Sequence, residues 1–78
     1  MRVFGYNKDC EELIELQEVS FLSNIEELEK IIRFLQDKKE QHIKVTNETD
    51  LYHSHFRDWD IAWKDGSVDI IIATTNNK

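Results

Sequence analysis

The chain has 78 residues, 40% of them hydrophobic, one cysteine, no proline and a formal net charge of −6. That length predicts a single domain over residues 1–78 with a thin stability margin, because a domain this small buries only about 60% of the surface its unfolded chain exposes. Little room remains for a deep pocket, which argues against an enzyme built around a large cofactor.

Taken in chain order, "MRVFGY" (1–6) is rich in β-formers and predicts a short strand, and "NKD" (7–9) supplies turn residues. "ELIELQEVSF" (12–21) alternates loosely and its parity slips near Gln17 and Glu18, which predicts a second strand carrying a bulge. "SNIEELEKIIRFLQDKKEQ" is the clearest element. Ile25, Leu28, Ile32 and Leu35 recur at helical spacing, with Ile31 and Phe34 widening the stripe. Ser23 and Glu26 fit a capping box, and acids precede bases in the order that suits the helix dipole. The helix is expected from about Asn24 to Gln41. Residues 43–50 read equally as strand or loop. The last third predicts a hairpin in which "HFRDWDIAW" (55–63) and "VDIIIATT" (68–75) pair across Asp65-Gly66, a sequence suited to a type I′ turn. The tail is expected to fray. The predicted order is β-β-α-β-β. The fold class is α+β, a small antiparallel sheet with one long helix packed on one face and Phe4, Phe21, Phe34, Phe56, Trp59 and Trp63 dominating the core.

The charge is uneven. Residues 1–29 hold eight acids against Arg2 and Lys8, whereas residues 30–78 balance at eight and eight. Glu11, Glu12, Glu15 and Glu18, with Glu26, Glu27 and Glu29 at the helix start, therefore form a candidate acidic face. Such a face repels phosphate backbones and attracts a basic protein, so nucleic acid is not expected as a partner. The plain alternative is that these acids serve solubility. The longest apolar run, Ile70 to Ala73, is far too short to span a membrane, and no apolar leader follows a basic start. Lone Cys10 cannot close an internal disulfide, which suits a reducing compartment. Membrane association is not expected, and the expected location is cytoplasmic.

"DLYHSHFRDWD" (50–60) concentrates the possible chemistry. His53 and His55 fall on one side of a strand and could share Zn²⁺ with Asp50, Asp58 or Asp60. His42 and Cys10, the other nitrogen and sulfur candidates, are remote in sequence. On an extended strand, however, Asp58 and Asp60 face away from the histidines. General acid–base work by a His–Asp pair is a further reading, but Ser54 points away from both imidazoles and no Gly-rich loop accompanies it. The plain reading is a histidine at the sheet edge donating to a carbonyl or carboxylate. Arg57, Asp58, Trp59 and Asp60 offer charge beside aromatic area, as interface hot spots do. Their plain reading is core for Trp59 and Trp63 and a solvated edge for Arg57 and Asp58. Cys10, in the acidic turn, reads as incidental.

"FGY", "LQEVSFLSNIEELEKIIRFLQDKKE", "HSHFRDW" and "VDIIIAT" together resemble immunity protein family 32 of bacterial polymorphic-toxin systems. The resemblance falls on Glu18-Val19, Glu27-Leu28, Phe34-Leu35, His53, His55, Phe56, Asp58 and Asp69-Ile70-Ile71, and it spans nearly the whole chain. It implies a protein that binds and neutralises a cognate toxin; no catalytic residues are carried over from it, and an enzyme is not expected. The candidate partner-binding residues are the seven glutamates together with Arg57, Asp58 and Trp59. The expected partner is a basic toxin domain, for which a nuclease is one class, and the chain is expected as a monomer or weak homodimer. No cofactor and no metal are assigned. A small metal-binding domain using His53 and His55, or a non-catalytic interaction module or homodimer, are the alternatives.

Overall fold

A computed structural model describes residues 1–45 and 51–75. The elements run β1 (Val3–Tyr6), β2 (Leu13–Leu16), α1 (Ile25–Val45), β3 (Leu51–His55), α2 (Phe56–Trp59) and β4 (Ile71–Thr75). The class is α+β, but the order is β-β-α-β-α-β. The described strands form two separate antiparallel pairs, β1 with β2 and β3 with β4, in place of the single sheet expected. Helix α1 packs on the β3–β4 pair.

Helix α1 starts where its cap requires. The Asn24 side chain accepts from the Glu27 backbone N–H at 2.8 Å, and Glu27 accepts from the Asn24 N–H at 3.1 Å. This is a reciprocal capping box one residue later than the Ser23–Glu26 pair expected. The helix also runs past Gln41, so Ile43 to Val45 are its last turn; residues 46–50 of the ambiguous segment lie outside the described residues.

The helix presents an unexpected stripe to the sheet. Phe34 and His42 are buried, with Ile31, Lys38 and Val45 half-buried on the same side. The predicted stripe is largely open, Leu28, Ile32 and Leu35 being 42%, 46% and 41% exposed. Phe34 is the one fully buried apolar side chain among the described residues. It meets Phe56 and Trp59 edge-on, at centroid distances of 5.2 and 5.6 Å. Phe56 and Trp59 stack on each other, and the Trp59 indole N–H donates to Asp37 at 2.9 Å. This aromatic trio is the core. Phe4 and Phe21, expected in it, lie exposed, and Trp63 is only half-buried, its indole donating to the Val68 carbonyl.

The long C-terminal hairpin does not form. Its first strand ends at His55 because the chain turns into the single turn α2. The Phe56 N–H still reaches the Ile70 carbonyl at 2.8 Å, but the Arg57 N–H is taken by the Asp69 carboxylate at 2.9 Å. Residues 60–70 then make a broad loop. Gly66 has φ 91°, and no other residue among the described ones has positive φ, Asp65 included. A type I′ turn is therefore impossible. Lys64 to Ser67 instead form a turn closed at 2.9 Å with Gly66 third, the position at which type II requires positive φ. The predicted bulge at Gln17–Glu18 is also absent, since β2 ends at Leu16.

Candidate functional site

Strand β3 separates two environments by alternation. Its inward face carries Tyr52 and Ser54, opposite Thr74 and Ile72 of β4. Helix α1 sets His42 above them. The His42 ring meets the Ser54 hydroxyl through Nε2 at 2.9 Å and the Thr74 hydroxyl through Nδ1 at 2.8 Å, and its edge contacts Tyr52. Burial, and then the positive charges of Lys38 and His53, push His42 below its usual pKa, so the ring is held neutral. A neutral imidazole donates from one nitrogen and accepts at the other, which two hydroxyls can satisfy. His42 and Ser54 are 3% and 8% exposed, and the two hydrogen bonds of the ring fasten helix to sheet.

The outward face carries Leu51, His53 and His55 on β3, opposite Thr75, Ala73 and Ile71 on β4. The two imidazoles share this face as expected, with ring centroids 5.4 Å apart. His55 Nδ1–H donates to the Asp69 carboxylate at 2.6 Å. Partial burial works to raise the Asp69 carboxyl. The hydrogen bonds from His55 and the Arg57 backbone, with the charge of Arg57 and that of His55 when protonated, outweigh it and hold the group below the usual carboxylate range. Asp58 is exposed and lies 4.0 Å from Arg57, so the partner of His55 is Asp69 and not Asp58. Asp69 was legible only as part of the closing "Asp-Ile-Ile" stretch; its link to His55 depends on the loop between them. Asp60 turns away from the histidines to an ion pair with Lys30 at 3.3 Å, and Asp50 lies outside the described residues.

An open groove of about 510 Å³ lies between the β2–α1 connection, α1 and the 60–70 loop. Phe21, Leu22, Ile31, Trp63, Val68 and Ile70 line it, with the Lys30–Asp60 pair and Glu27 among them. Glu11, Glu12, Glu15, Glu18, Glu26, Glu27 and Glu29 are all exposed. Two of them are engaged. Glu15 pairs with Arg2 at 2.7 Å, which lowers the carboxyl and raises the guanidinium, and Glu27 caps the helix. Arg57 is exposed, whereas Trp59 belongs to the aromatic core. Compared with models of known families, with curated proteins and with solved structures, the chain has no match.

Proposed function

We propose that this chain is an immunity-type protein that binds and neutralises a cognate bacterial toxin domain in the cytoplasm, as its sequence resemblance to immunity protein family 32 implies. One observation supports a binding role above the others. The chain exposes 7107 Å² at a mass of 9.3 kDa. A compact monomer of that mass exposes roughly 5,000 Å². The difference exceeds the roughly 800 Å² that each partner buries in a standard interface. Phe21 and Leu22, which line the groove, are 55% and 103% exposed, and Ile25 at the start of α1 is 72% exposed. Exposed apolar area of this extent marks a surface that another protein covers. The acids would steer a basic partner, such as a nuclease with a phosphate-binding cleft, and the apolar groove would hold it.

The test is co-expression with the C-terminal domain of a large secreted protein encoded beside this chain, followed by calorimetry at two salt concentrations. Tight binding that weakens with salt is expected. Glu18→Lys should lower the association rate more than it raises the dissociation rate. Glu15→Lys should do the same, although it also breaks the Arg2 pair. Unchanged association rates at low salt would remove the acidic face from the interface, and no binding to any neighbour would sink the immunity reading.

A further inference from the structure

We propose that His53 and His55 form half of a zinc site that a second copy of the chain completes. The two rings project from the same face of β3, and their centroids lie 5.4 Å apart. Zinc binds imidazole nitrogen at about 2.0–2.1 Å, and the ring centre lies roughly 1.1 Å beyond that nitrogen. Two imidazoles on one tetrahedral ion therefore have centroids about 5.2 Å apart. The strand thus holds the pair at nearly the chelating separation.

The second supporting feature is Asp69. It accepts a hydrogen bond from His55 Nδ1–H at 2.6 Å, which fixes the tautomer and leaves the Nε2 lone pair available for a metal. A carboxylate behind the histidine is the usual second layer of a zinc site, where it orients the ring and raises its basicity. His53 is exposed beside His55.

No third His, Cys, Asp or Glu joins this pair among the described residues. Zinc prefers four ligands, so one chain offers half a shell. A two-fold axis through the ion would supply His53 and His55 again. The surroundings suit such an approach. Leu51 and Ile71 flank the histidines on the same face at 58% and 54% exposed, with exposed Ala73 between. The face also lies in the part of the chain whose charges balance, away from the acidic first third. This proposal does not rest on the toxin-binding reading.

The test titrates the full chain with Zn²⁺ while following imidazole signals by NMR and mass by sedimentation velocity. Expected are shifts of the His53 and His55 rings at micromolar zinc, an unshifted His42 ring, one zinc per two chains, a doubled mass and reversal by chelator. His53→Ala, an exposed position, should abolish both the shifts and the dimer while circular dichroism is unchanged. Asp69→Asn should weaken zinc binding by about 10–100-fold. Absence of ring shifts at micromolar zinc would overturn the proposal. So would shifts without dimerisation, dimerisation that survives His53→Ala, or binding that disappears with Cys10→Ser.

Discussion

His42→Leu tests what fastens the helix to the sheet. Leucine keeps much of the volume but leaves the Ser54 hydroxyl, 8% exposed in the native fold, without the partner it now has at 2.9 Å. A buried polar group left unpaired costs about 1–3 kcal/mol. A chain of this length has a total stability of roughly 4–12 kcal/mol, so the loss is a large share of the whole. With a urea slope near 1 kcal/mol/M, the midpoint should fall by about 1–3 M. Adding Ser54→Ala should restore most of that loss, because removing both partners is nearly neutral. The wild type should also respond to pH. The His42 pKa is lowered by folding, so the unfolded state takes up a proton first. The stability contributed by the neutral ring is present above about pH 6.5 and is lost as pH falls through the folded value. His42→Gln, which keeps a donor and an acceptor, should flatten that slope. An unchanged midpoint in His42→Leu, no recovery in the double variant, or the same acid slope in His42→Gln would refute the reasoning.

Phe34→Ala empties the centre of the aromatic trio and should cost about 3–5 kcal/mol, enough to abolish the near-ultraviolet dichroism of Trp59 at room temperature. Asp69→Asn weakens two charge-assisted bonds and should cost about 1.5–3 kcal/mol at neutral pH in urea unfolding. Folding lowers the Asp69 pKa, so its contribution is present above about pH 3.9 and is lost as pH falls through the folded value; the difference between wild type and variant should close there. Ile32→Glu, on the open stripe of α1, should change monomer stability by no more than about 0.5 kcal/mol, and a loss of several kcal/mol would mean that this stripe is covered.

The legible parts of this fold rested on local chemistry. Helix α1 has strong periodicity and ordered charges, and the alternation of β3 placed His53 and His55 together with Ser54 behind them. The failures came where a distant group decided. "HFRDWDIAW" has the composition of a strand, but the Asp69 carboxylate, twelve residues away in sequence, takes the Arg57 N–H and turns the chain into α2. Asp65-Gly66 is a frequent hairpin signal, yet the strands it was expected to join end ten residues before it and five after. His42 went unrecognised as a site residue because its meaning lies in two hydroxyls on other elements, which spacing along the chain does not reveal.

The helix is the most informative misreading. Its residues offer two apolar stripes, one through Ile25, Leu28, Ile32 and Leu35 and one through Ile31 and Phe34. The first looks better because the second continues into Lys38 and His42. Burial goes to the second for a physical reason: the inner face of β3–β4 presents Ser54 and Thr74, whose hydroxyls need a polar partner once covered. His42 satisfies both, and the aromatic trio closes the other end. A leucine stripe over the same hydroxyls would leave them unpaired. The better apolar stripe is thereby left largely open, and the β1–β2 hairpin leaves Phe4, Tyr6, Leu13 and Ile14 exposed as well. A two-stranded hairpin on its own is marginally stable in water. Helix stripe and hairpin are thus both short of a covering surface, and a single protein partner spanning them would supply it to both.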